Sequence, residues 1–306
     1  MTGESHNQIK PPLSGLTYWS AALFLIIVWG SAFNLIEFGI AHFPVSWVVA
    51  LRLLLGAVIL AGIALLWRKK FPALTDSRWR WYFVLGLTGM VIPFSLTAEG
   101  QKEIDSGVSA ILVGVMPLMT IILAHFMKTE RLTTRKLAGF TLGLVGTFIL
   151  FMPEDFALKL VDEWQAQSRV LGAAFCYAVT TVLAKKAPMT DPLVGAVMMT
   201  VWGALVALII ALYMDSFPVQ VATEGWLAII GLAVGSSGLA TIVYLSVIDR
   251  NGPTELAKIN YFPPFVAVLL GVVWLGEPFT PRIAIAFAII MFGVWFAKSR
   301  PNPSNP

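Results

Sequence analysis

The sequence predicts an all-α polytopic membrane protein, ten transmembrane helices arranged as two inverted five-helix repeats. Three observations carry that expectation. Of 306 residues, 58% are hydrophobic and 12% charged, with a mean hydropathy of +0.80, too little polar surface to cover a water-soluble globule. The apolar residues run in unbroken stretches near the ~20 residues a helix needs to cross a bilayer core, without the roughly ten-residue alternating segments of a β-barrel. Finally, one stretch is written twice. Ala110, Pro117, Glu130, Thr133, Phe140 and Gly146 recur 147 residues later as Ala257, Pro264, Glu277, Thr280, Phe287 and Gly293.

Taken in order, residues 1–16 form a polar, proline-containing tail. Span 1 covers Thr17 to Ile40. With Lys10 ahead of an apolar run longer than the core of a cleaved signal, it is expected to be retained. Span 2 runs from Pro44 to Trp67, and a basic loop (Arg68, Lys69, Lys70, Arg78, Arg80) leads to span 3, Trp81 to Gly100. Span 4 is Gly107 to Met127, a second basic turn holds Lys128, Arg131, Arg135 and Lys136, and span 5 ends at Met152. The longest polar connector, residues 153–169, is mostly acidic and is expected to be an external, periplasmic-side linker. Span 6 is Val170 to Ala187, span 7 Pro192 to Met214, span 8 Gly225 to Val247, span 9 Thr254 to Leu275 and span 10 Thr280 to Lys298, before a tail at 299–306. Each repeat thus covers five spans, residues 17–152 and 170–298.

The basic residues orient this layout. With the N-terminus cytoplasmic, sixteen Lys and Arg fall on the cytoplasmic side and four on the other (Lys102, Lys159, Arg169, Arg282), so both termini are expected in the cytoplasm of an inner (plasma) membrane protein. The net charge of +4 is therefore read as a membrane signature rather than a nucleic-acid one. Pro44 and Pro192 correspond, and Trp81…Leu85-Gly86-Leu87 recurs as Trp226…Ile230-Gly231-Leu232. Because five crossings is an odd number, two such units lie upside down to each other about an axis in the membrane plane, the architecture of many secondary transporters.

Several residues stand out against this apolar background. Arg52 is the one base in the middle of a span, about 10 Å in from its end at 1.5 Å per residue, where a lone charge costs ~3 kcal/mol on insertion scales. It is read as a site for a substrate carboxylate, a proton-linked switch or a structural ion pair, with Glu37 and then Glu99 as expected partners and candidate coupling groups. Pro117, Pro263 and Pro264 interrupt spans 4 and 9, marking either hinges beside a cavity or static kinks. Lys258 lies three residues after Glu255, on one helix face, with Asn260 and Tyr261 beyond it. Trp29 and Trp202 are placed deep, and with Asn34, Tyr177 and Tyr244 they are candidate pocket residues, although ordinary packing would also place them there. Trp19, Trp47, Trp67, Trp79, Trp81, Trp226, Trp274 and Trp295 lie near span ends and are expected in the interfacial belt. Glu130 and Glu277 fall on opposite faces and are read as turn residues. Gly139-x-x-x-Gly143 and Gly231-x-x-x-Gly235 are read as close-packing sites, with Gly235 to Gly238 soft enough to bend.

Trp29-Gly30-Ser31, Pro44 with Arg52, the Pro117…Glu130-Arg131-Leu132-Thr133 run and its copy Pro264…Gly276-Glu277-Pro278-Phe279-Thr280 resemble the EamA repeats of the drug/metabolite transporter superfamily. The resemblance covers almost the whole chain; one departure is Thr129 where the second copy has Gly276. It implies a ten-span inner-membrane carrier, often an exporter of amino acids, related metabolites or toxic analogues. The expected function is accordingly a secondary transporter of a small organic solute working by alternating access, not an enzyme, with an integral membrane enzyme or a sensor or scaffold as alternatives. Expected partners are the solute, the lipid bilayer and protons or a counter-substrate. No phosphate-binding Gly-rich Lys-Ser/Thr loop is present, the histidines and the single Cys176 form no metal-ligand spacing, and no cofactor is expected.

Overall fold

The computed structural model describes residues 11–104, 106–129, 132–151, 163–263, 265–266 and 281–297. Among these the regular structure is entirely helical. Five helices are long and apolar enough to cross a membrane: α1 (Gly15–Ile40), α2 (Val45–Leu66), α3 (Arg78–Gly100), α8 (Pro192–Met214) and α9 (Thr223–Asn251). Between and after them lie α4 (Ser106–Val113), α5 (Met116–Phe126), α6 (Thr134–Phe151), α7 (Trp164–Lys186), α10 (Pro253–Ile259) and α11 (Pro281–Ala297). Pro264, Glu130, Glu277, Thr280 and residues 153–162 lie outside the described residues.

Helix boundaries follow identifiable local chemistry. α8 starts where Asp191 accepts hydrogen bonds from the backbone N–H groups of Leu193 (3.0 Å) and Val194 (3.4 Å), with Pro192 at the first helical position. Arg68 and Lys128 end α2 and α5 in the left-handed region, at φ 50° and 57°. There the N–H groups of Lys69 and Thr129 reach back to the carbonyls of Ala64 and Ala124, both at 2.9 Å, closing the last turn of each helix. α7 begins at Trp164, earlier than the apolar run at Val170, because Gln165, Gln167 and Arg169 form helix readily and Arg169 pairs with Glu103 at 2.7 Å. The interruption of span 4 falls at Gly114–Val115, immediately before Pro117, which sits buried in the first turn of α5.

Two helices widen into π-helix, α3 over Leu87–Val91 and α9 over Leu232–Leu239. Each π segment begins six residues after its tryptophan, Trp81 or Trp226, and immediately after Gly86 or Gly231. The irregularity is thus repeated at the same point in both sequence copies.

Helices from the two sequence halves pack mostly against each other. α2 lies along α8, α6 along α11, α3 along α7 and α1 along α9; α2 also meets α9, α8 meets α3, and α5 touches both α7 and α10. The α2–α8 pair is tied at both ends. Ser46 Oγ donates to Asp215 Oδ2 at 2.6 Å and Trp47 Nε1 to the Asp215 carbonyl at 3.0 Å, while at the far end Lys69 pairs with Asp191 at 2.7 Å. The two helices therefore run antiparallel. So do α6 and α11, since Arg135 at the start of one donates to the Phe296 carbonyl at the end of the other, at 2.7 Å.

Small residues set the spacing. A Cβ added to Gly293 would lie 2.6 Å from the Gly139 carbonyl, and one on Gly86 would lie 2.6 Å from the Met199 carbonyl. In a lipid solvent, where hydrophobic burial drives no association between helices, close approach of this kind is a main source of packing energy. Apolar side chains such as Val58, Ile209, Leu227 and Phe292 point outward into the surroundings, as lipid-facing residues would. Trp19, Trp67 and Trp295 are exposed near helix ends, but Trp47 is buried because its indole N–H is committed to Asp215.

Candidate functional site

Arg52, in the third turn of α2, is among the largest fully buried side chains, only 2% exposed. Its Nε donates to Ser237 Oγ at 2.8 Å and its Nη2 to Ser236 Oγ at 2.7 Å, both in the π segment of α9. Ser236 Oγ in turn bonds the Leu232 carbonyl at 3.1 Å. A π turn spreads more residues around each turn than an α turn, so adjacent side chains diverge less, and two consecutive serines can serve one guanidinium. The guanidinium carbon also sits 3.8 Å over the Phe94 ring centre, a cation–π contact sheltered from solvent.

This arrangement corrects the expected ion pair. Glu37 is exposed on α1, and Glu99 pairs with Lys102 at 2.9 Å, so neither reaches Arg52. Among the described residues no carboxylate pairs with it. Both glutamates lie near helix ends where water solvates them, whereas Arg52 is held by hydroxyls and a ring.

Arg52 opens onto a central cavity of about 150 Å³. Aromatic residues form much of its wall: Trp29 meets Tyr244 edge-on with ring centres 6.3 Å apart, and Phe94 faces Tyr177, also at 6.3 Å. Polar lining comes from Thr97, Thr180, Thr181 and Asn260, and Pro263 closes one side. Among the described residues Asn260 Nδ2 is buried without a hydrogen-bond partner, whereas the Thr97 hydroxyl lies against that of Tyr177. Of the residues singled out from sequence, the structure brings Trp29, Arg52, Tyr177, Tyr244, Asn260 and Pro263 together on this cavity.

The others lie elsewhere. Tyr261 is buried in a separate apolar cluster, donating its hydroxyl to the Phe140 carbonyl at 2.7 Å. Trp202 packs edge-on against Phe83 at 5.2 Å, outside the cavity. Lys258 is paired with Glu255 within α10, and Glu255 also accepts from the Tyr18 hydroxyl at 3.2 Å, which ties α10 to α1. Asn34 is half-buried on α1 and does not line the cavity, nor does Pro117. Phe94 and the Ser236-Ser237 pair were not singled out as site residues. A hydroxyl pair in an otherwise apolar span was the available signal, but small residues there read equally well as packing. Among the described residues no three His, Cys, Asp or Glu side chains gather as metal ligands.

The profile of the EamA-like transporter family matches residues 17–152 and again 167–298. This chain belongs to the EamA-like transporter family. Over 283 residues it is 25% identical to the uncharacterized inner membrane transporter YedA of Escherichia coli K12, covering 91% of this chain and 90% of that one. It is 25% identical over 291 residues to a probable amino-acid metabolite efflux pump of Salmonella typhimurium LT2, covering 90% and 92%. A probable terminal-alkyne amino-acid exporter of Streptantibioticus cattleyicolor is 24% identical, covering 92% and 93%. A solved crystal structure superposes with a TM-score of 0.73 at 20% identity over 93% of this chain and 98% of that one, a likeness of fold.

Proposed function

We propose that this EamA-like transporter is a ten-span secondary carrier of inverted 5+5 design. It moves a small organic solute of the amino-acid or related-metabolite class, in the export direction, across the inner membrane by alternating access. The solute occupies the central cavity, and both termini face the cytoplasm. The direction and class rest on the names of the efflux and exporter relatives.

One observation supports the reading: residues at corresponding positions of the two sequence halves line the same cavity. Trp29 and Tyr177 each precede their repeat proline, Pro44 or Pro192, by fifteen residues, and both line it. Val113 and Asn260, 147 residues apart in the opening correspondence, both line it as well. Corresponding helices α2 and α8 run antiparallel, as do α6 and α11. The helix packing is also unchanged by exchange of the halves, since α1 on α9 mirrors α7 on α3, and α2 on α9 mirrors α8 on α3. A site on such an axis is presented to either membrane face by exchanging the conformations of the halves. Drive comes from the solute's own gradient or from a counter-solute. Glu37 and Glu99 lie off the cavity, so a proton carried by either would not share the solute's site.

Reconstituted protein tests this directly. Vesicles preloaded with a transported member of a panel of amino acids and their keto, hydroxy and deaminated analogues should accumulate external labelled solute transiently, with saturation. Flux that is absent for the whole panel, or that never saturates, would reject the carrier.

A further inference from the structure

We infer that the solute of the central cavity is an organic monoanion: one carboxylate on an apolar body, without an ammonium group. The inference rests on the proposed function and narrows its solute class from amino acids to the related metabolites that lack the ammonium. It rests on a count of charges and hydrogen-bonding groups facing the cavity. Arg52 is the sole charged side chain on the cavity wall among the described residues. Two of its nitrogens are committed to neutral serine hydroxyls and its face to Phe94, which leaves Nη1 without an acceptor among the described residues. Neutral partners solvate the guanidinium but do not cancel its charge, and an uncompensated charge in a water-poor site is unfavourable. A ligand carboxylate supplies the missing countercharge.

Asn260 points to the same conclusion independently. Its amide nitrogen is a second buried donor on a wall residue, with no acceptor among the described residues, and a ligand carboxylate oxygen could supply one. An α-ammonium would meet the reverse situation. No Asp or Glu lines the cavity among the described residues, and the nearest charge is the like charge of Arg52. A dianion such as a phosphate monoester would leave one negative charge unmatched. The apolar body lies against Trp29, Tyr177 and Tyr244, whose rings give the cavity its predominantly apolar wall.

The test uses the full chain in detergent at neutral pH and follows thermal unfolding with a matched set of probes: 3-phenylpropanoate, phenylalanine, 2-phenylethylamine, 3-phenylpropanamide and phenyl phosphate. A ligand that binds only the folded protein raises its melting temperature in a saturable way. The expected result is saturable stabilisation by 3-phenylpropanoate with an apparent Kd at least tenfold below that of every other probe. In Arg52→Gln that preference should vanish, and in Arg52→Lys part of it should return. If Arg52→Gln does not fold, the wild-type ranking decides alone. Equal or tighter binding of phenylalanine, the amine or the amide would overturn the inference, as would no saturable effect of 3-phenylpropanoate. The transport reading fails separately: selective acid binding without vesicle flux rejects the carrier and keeps the site chemistry, whereas saturable flux of an amine independent of Arg52 does the opposite.

Discussion

Arg52 is stabilised across a sequence separation of 185 residues to Ser237 and 184 to Ser236, a distance that explains why its position could be read from the sequence while its partners could not. Acids stand out in an apolar chain and serines do not, so Glu37 and Glu99 attracted the pairing that the serines make. Removing either hydroxyl, Ser236→Ala or Ser237→Ala, leaves a buried cation one bond short and should cost about 1.5–3 kcal/mol, seen as a lowered unfolding midpoint in detergent. Asp191 separates two small effects at the far end of α2. Burial pushes its carboxyl up, but the Lys69 ammonium and the Val194 and Leu193 N–H groups outweigh this and hold it below its ordinary value of 3.8. Asp191→Asn keeps the helix cap and loses only the half-exposed ion pair, a change of at most ~1 kcal/mol, whereas Asp191→Ala also loses the cap, about 1 kcal/mol more. Because the folded value is depressed, the ion-pair contribution is present above pH 3.8 and drains as pH falls through the lower folded value. The wild-type advantage over Asp191→Asn in thermal unfolding should therefore close on acidification.

At the scale of elements, continuous apolar runs located the helices well because hydropathy responds to the same transfer energy that buries them. What that signal could not show was where helices extend past their apolar cores, as α7 does back to Trp164 and α9 to Asn251, or where they widen into π turns. Polar ends of a helix carry no apolar signal, and the π segments after Gly86 and Gly231 leave hydropathy unchanged. The turn from α9 into α10 is one residue, Gly252, at φ 87° and ψ 168°, a region open essentially to glycine. Gly252→Ala should lose about 1–3 kcal/mol and loosen α10, which carries Asn260 just past its end, so reduced thermal stability and weakened solute binding should appear together. Gly293→Leu puts bulk where α11 meets the Gly139 carbonyl and should separate α6 from α11. Retention of a wild-type unfolding midpoint by that variant would contradict the close packing described for this pair.

For the whole molecule, duplication was the most legible feature, because matched spacings of Pro, Glu, Thr and Gly persist after most apolar positions have drifted. Inversion is the expectation that an odd span count gives, and the α2–α8 and α6–α11 pairs are antiparallel as it requires. Trp29, Tyr177 and Tyr244 were legible as candidate pocket residues, but nothing in the sequence separated them from Asn34 and Trp202, since depth along a span does not say which face a side chain occupies. Reporter fusions should place the connector near Glu163 outside and both termini inside; a connector on the same side as the termini would remove the inversion. The central claim, a single solute path opened to each face in turn, is tested most directly by cysteine accessibility. In a Cys176→Ser background, which removes the only native thiol, a cysteine replacing cavity-lining Thr181 is treated with a membrane-impermeant maleimide in right-side-out and in inverted vesicles. Labelling from both sides, each slowed by transported solute, is the predicted result. Labelling from one side alone under every condition would contradict it.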